Sequence, residues 1–148
     1  MRANLPLMIK RPLNRAALLT ALLAVGGCAL ISPDQTVTDL KAHAETKVSF
    51  TVPAAPANAC AKTARMLMWC AGGPNFHYRC NTPPDGNSSE LTGTLEAVYR
   101  TEFFMVAEFA RSGSDSAVTL SQHDSVLVYD YAPMIQAYFN NAAACLPK

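Results

Sequence analysis

Apolar and polar residues alternate from Lys47 to Val52. Val48, Phe50 and Val52 fall on one side and Lys47, Ser49 and Thr51 on the other, which is the period of a half-buried strand. Pro53 and Pro56 interrupt it, and Pro56 suits the first turn of a helix. From there to Cys70 the apolar positions Cys60, Ala64, Leu67 and Ala71 recur at steps of three and four, and Gly72-Gly73-Pro74 stops the helix. The period then returns to two. Phe76 and Tyr78 alternate with His77 and Arg79 ahead of Cys80, and a turn-rich insert at 81–89 carries Asp85-Gly86. Leu91, Gly93, Leu95, Ala97 and Tyr99 share one face of the next strand, and Phe103, Met105, Ala107 and Phe109 one face of the strand after it. A tight connection near Arg100 joins the two as a hairpin. Ser112–Asp115 is another turn, and Val118 and Leu120 belong to a further strand. Ser125–Tyr131 fits either a short strand or an early helical turn. After Pro133 a helical stripe of Met134, Ile135, Tyr138, Phe139 and Ala142 carries Cys145. The expected fold is α+β, an antiparallel β-meander of about four to five strands with two helices packed on one face.

Ahead of this domain the pattern is different. A basic stretch with Arg2, Lys10, Arg11 and Arg15 precedes the apolar run Ala16–Val25, and small residues lead to Cys28. The run is short of the roughly 20 apolar residues of a membrane span, so it reads as a secretory signal. Val25-Gly26-Gly27-Cys28 resembles the lipobox of bacterial lipoproteins. The resemblance implies removal of residues 1–27 and acylation of Cys28. It also implies an outer-membrane destination, because Ala29 stands where the inner-membrane retention signal has Asp. Two or three acyl chains, at about 0.8 kcal/mol per buried methylene, hold a protein on a bilayer durably. Simple secretion with a cut near the same small residues is the competing reading. Residues 29–46 show no sustained period and carry Pro33, so 28–46 is expected to be a lipidated Cys and a flexible tether, with a reach of up to about 60 Å. Residues 47–148 are expected to form a single periplasmic domain.

Loss of the leader removes four basic residues and no acidic one. The whole chain has 12 basic and 11 acidic residues, so 8 basic residues remain against 11 acidic and the charge falls from +1 to −3. Such a surface offers no electrostatic reason to bind nucleic acid. Of five cysteines, one is assigned to lipid, leaving Cys60, Cys70, Cys80 and Cys145 for disulfides in an oxidising compartment. Cys60 lies ten residues before the helix end, roughly 15 Å, and Cys80 seven residues past Gly73, roughly 23 Å before the turn is subtracted. Cys60–Cys80 with Cys70–Cys145 is therefore the first pairing, and Cys60–Cys145 with Cys70–Cys80 the second. A zinc site using His77 and Cys80 is the rival, but the spacing matches no common zinc pattern and C-x-x-C is absent.

No catalytic residue, cofactor or metal ligand is expected. No G-x-S-x-G elbow or glycine-rich phosphate loop occurs. His123-Asp124 sits near Ser121 and Ser125, but such letters are common at polar strand ends. Glu96, Glu102 and Glu108 fall on outward strand positions, where solvated carboxylates are ordinary. His43 falls in or beside the tether. The candidate partner surface has two parts. Lys62, Arg65 and Trp69 point away from the apolar stripe of their helix, and Phe104 stands with Val106 on the outward sheet face.

The leader, the strand running into a Cys-bearing helix and the meander ending in another resemble small proteobacterial envelope lipoproteins. That resemblance implies a membrane-anchored, non-enzymatic accessory component of the cell envelope, with the bilayer and an envelope protein as partners. The alternative is an inhibitor or immunity-type binding protein against a secreted toxin or lysozyme.

Overall fold

A computed structural model gives the structure of residues 34–124, 129–142 and 145. The leader, Cys28 and most of the ambiguous segment 125–131 lie outside these residues. The elements are α1 (Val37–His43), β1 (Thr46–Val52), α2 (Pro56–Cys70), β2 (Phe76–Asn81), β3 (Ser88–Ala97), β4 (Arg100–Ser112), β5 (Asp115–Gln122) and α3 (Tyr131–Phe139). The described residues thus form an α+β fold with three helices and a five-stranded antiparallel sheet, ordered β1-β5-β4-β3-β2. Strands β2 to β5 follow one another as a meander. β1 joins the far edge, with Phe50 opposite Val118. It therefore runs parallel to β2 at the opposite edge, and α2 crosses the sheet between them, touching β2, β3, β4 and β5.

Helix α2 has Pro56 in its first turn and buries Ala59, Cys60, Thr63, Met66 and Leu67. Its end is capped by Ala71 N–H donating to Leu67 O. Glycine is required immediately after, because a Cβ on Gly72 would lie 2.1 Å from the Met68 carbonyl oxygen. The Tyr78 hydroxyl donates to Ala71 O at 3.1 Å. With that proton committed, the Tyr131 hydroxyl donates to Tyr78 at 3.2 Å. Burial pushes the Tyr78 phenol up to about 12, so the pair stays neutral at any physiological pH. Two disulfides close the structure, Cys60–Cys80 between α2 and β2 and Cys70–Cys145 between the end of α2 and the C-terminal segment.

Four expectations are corrected. Phe104 is not an outward residue. Gly93 faces Met105 while Thr94 faces Phe103, so Phe104 is the extra residue of a bulge. The bulge breaks strict alternation and turns Phe104 into the core, where it is 2% exposed. Its ring lies 5.6 Å from Phe76, 5.8 Å from Tyr78 and 6.0 Å from Tyr131. Phe103, expected inside, is half-buried and outside the core cluster. Tyr99 is likewise not on a core face. It and Val98 form the two-residue tip between β3 and β4.

The third correction concerns the tether. Residues 34–46 belong to the fold, with Val37–His43 helical and Thr36 capping the helix through its hydroxyl, which accepts from Asp39 N–H. Leu40 and Val106 are fully buried, and Ser121, which faces Val106 across β4 and β5, is buried too. Val106 points opposite to its core neighbours Met105 and Ala107, so α1 covers the sheet face that was expected to be open. Lys41 adds an ionic grip, reaching Glu108 at 2.7 Å and Glu90 at 3.2 Å. Those two glutamates are cross-strand neighbours, and a cation between them relieves their repulsion. The last helix also differs. It starts at Tyr131, places Pro133 in its first turn where no amide donor is needed, and stops at Phe139 before Cys145.

Candidate functional site

The residues of α2 that do not enter the core define the most distinctive surface. Lys62, Arg65, Met68 and Trp69 project outward because the buried stripe occupies the other side of the helix. Trp69 is 88% exposed and is the single tryptophan of the chain. It lines a shallow groove of about 390 Å³ with Arg65, Met66, Cys70, Tyr138 and Cys145. Disulfide Cys70–Cys145 forms part of the floor, so an inflexible cross-link supports the aromatic rim. Among the described residues neither Lys62 nor Arg65 has a carboxylate partner, which leaves two cations beside an exposed aromatic.

The structure thus brings Arg65 and Trp69 together and places Lys62 on the same outward side, about one turn before Arg65 and two before Trp69. Phe104 takes no part. Tyr138 and Met68 complete the surface, and the pattern reading missed them. Tyr138 belonged to a stripe expected to be buried, yet it lies near the end of α3 beside the groove.

A second polar cluster joins α1 to the end of β5. Asp34, 6% exposed, places one carboxylate oxygen 2.9 Å from His43 Nδ1 and the other 2.6 Å from His123 Nε2. His123 Nδ1 lies 2.6 Å from Glu45 Oε2. A ring with a carboxylate on each nitrogen donates from both, so His123 is held as the imidazolium. Burial works against its charge, but the hydrogen bonds to Glu45 and Asp34 outweigh that and raise its pKa. Burial likewise pushes Asp34 up, and the hydrogen bonds from His43 and His123 more than offset it, leaving the carboxyl below its ordinary range. No local signal marks this cluster, because Asp34 and His123 come together only when the sheet forms.

This geometry bears on the chemistry. Neither nitrogen of His123 has a lone pair free to take a proton from Ser121, and Ser121 is itself buried. The zinc alternative loses its thiolate, since Cys80 is bonded to Cys60, and His77 Nε2 instead lies 3.4 Å from Glu96 Oε2. Among the described residues no group of three His, Cys, Asp or Glu side chains is arranged to hold a metal ion. Among them, too, no helix is long and apolar enough to cross a membrane.

No protein-family model matches the chain, and neither a curated protein nor a solved structure does.

Proposed function

We propose that this chain is a lipid-anchored protein of a bacterial cell envelope, acting outside the cytoplasm by docking another envelope protein rather than by catalysis. The observation that carries the reading is Trp69, almost fully exposed on the same helix face as two unneutralised cations, at a disulfide-supported helix end. A large aromatic costs stability when left in water, and aromatic and arginine side chains supply much of the energy at protein interfaces. The lone cations beside it favour a partner that presents carboxylates around an apolar pocket. The leader ending at Cys28 and the two disulfides supply the address. In this reading α2 and α3 share one sheet face, supported by the single core cluster that residues of both join.

The test is crosslinking in intact membranes, comparing the parent chain with Trp69→Ala and with the charge-reversed pair Lys62→Glu/Arg65→Glu. A partner recovered by the parent should be weakened about 30-fold by Trp69→Ala, the loss of a central interface aromatic. Equal recovery by all three forms would remove this face from the model. Intact mass of the purified protein tests the anchor, since Cys28→Ser should abolish both leader removal and the added acyl mass.

A further inference from the structure

The most exposed large apolar side chain described is not Trp69 on α2 but Tyr99. Val98 is 87% exposed and Tyr99 97%, side by side at the tip of the β3–β4 hairpin. Two-residue hairpin tips ordinarily carry Asn, Asp or Gly, which adopt positive φ without strain. Neither Val98 nor Tyr99 has positive φ, and neither residue type serves turn chemistry. Their identity is therefore not explained by the need to reverse the chain.

The position of the tip explains it. Phe103 N–H, four residues from Tyr99, donates to the carbonyl of Asp34 at 2.9 Å. The chain thus enters the domain beside the tip end of this hairpin. Four residues of strand span about 13 Å. Only five residues separate Cys28 from Asp34, because the segment expected to be a tether is folded onto the sheet. Fully extended, the six steps from Cys28 to Asp34 reach about 20 Å. An acyl-bearing Cys28 therefore leaves the domain close against the bilayer, with the tip within the same distance. Near the tip Glu102 has a cationic partner, Arg100 at 2.6 Å, and Glu96 lies 3.4 Å from His77 Nε2. Tyrosine, with an apolar ring and a polar hydroxyl, suits the boundary between headgroups and acyl chains.

We infer that Val98 and Tyr99 insert into the surface of the bilayer that holds the acyl chains, giving the domain a second membrane contact and a fixed orientation. The inference rests on the lipid-anchored reading. It leaves the Trp69 face for the protein partner. The occupant is a phospholipid surface, and attraction is apolar rather than electrostatic, so it should change little with salt.

The test uses the lipidated full chain carrying Trp69→Phe and Tyr99→Trp, which moves the single tryptophan to the tip. In phosphatidylcholine vesicles containing brominated acyl chains, its emission should shift to the blue and be quenched. Without the lipid anchor, adding Val98→Ser and Tyr99→Ser should weaken vesicle partitioning about tenfold relative to the unlipidated parent. A protein whose mass shows the acyl chains, but whose tip tryptophan keeps a water-exposed spectrum, overturns the inference and leaves the anchor standing. A blue shift without quenching assigns the tip to a protein or a second copy and also overturns it. If the mass lacks acyl chains the anchor reading fails, and quenching with added vesicles would still support a membrane-seeking tip.

Discussion

Asp34 and His123 meet at 2.6 Å, binding the start of the folded chain to the end of β5, 89 residues away in sequence. Their contact holds α1 on the sheet face that would otherwise expose Val106. It also sets how close to the domain the chain emerges.

This contact makes stability depend on pH from both sides. The folded pKa of Asp34 and of Glu45 lies below the ordinary value, so the carboxylates stabilise above the unfolded pKa near 4 and lose that contribution as pH falls through the lowered values. The folded pKa of His123 lies above its ordinary value, so its contribution is full below about 6.5 and is lost as pH rises through the raised value. The cluster therefore stabilises most between about pH 4.5 and 6.5. His123→Ala should cost about 2 kcal/mol there and less at pH 9. Urea melts at the two pH values read the difference, and an equal loss at both would refute the charged state assigned to His123.

Leu40→Ala tests whether residues 37–43 are part of the domain. A fully buried leucine truncated to alanine costs about 2–5 kcal/mol, whereas the same change in a tether costs nothing. Thermal melting of the purified variant distinguishes the two.

Gly93→Ala probes the bulge. An added Cβ would lie 2.4 Å from Met105 Cγ and 2.6 Å from the Phe104 ring, so one or both must leave their places. Overpacking of this kind costs about 1–3 kcal/mol. Near-ultraviolet circular dichroism should change with it, because Phe104 packs against Phe76, Tyr78 and Tyr131.

The two disulfides should differ in weight. They close loops of 20 and 75 residues, which the chain-entropy model values at about 3 and about 4.5 kcal/mol. Replacing both Cys70 and Cys145 by Ala should therefore lower the melting temperature more than replacing Cys60 and Cys80. The reverse order would show that constraint of the unfolded chain is not the main effect of these cross-links.

Much of the fold is legible along the chain because its causes are local. Strict alternation at Val48–Val52 marks β1, the three- and four-residue steps through Cys60 and Leu67 mark α2, and Gly72-Gly73-Pro74 marks its end. Even the pairing of Cys60 with Cys80 follows from comparing helix rise with strand rise, since α2 and β2 are adjacent in sequence. The Trp69 face is legible for the same reason, because a helical wheel needs only one element.

What the sequence could not determine depends on contacts between distant segments. Helix α1 is seven residues long, too short to be stable by itself, and depends on tertiary contacts such as those of Leu40, Lys41 and the Asp34–His123 pair. The inward turn of Phe104 needs a bulge that arises from the pairing of β3 with β4, and no spacing within β4 announces it. By itself the sequence determined the five strands, helix α2 and the groove-rim tryptophan. Tertiary structure alone decided which sheet face is covered, where the chain enters, and that Val98 and Tyr99 stand out in solvent, because each depends on segments that meet only in the folded sheet.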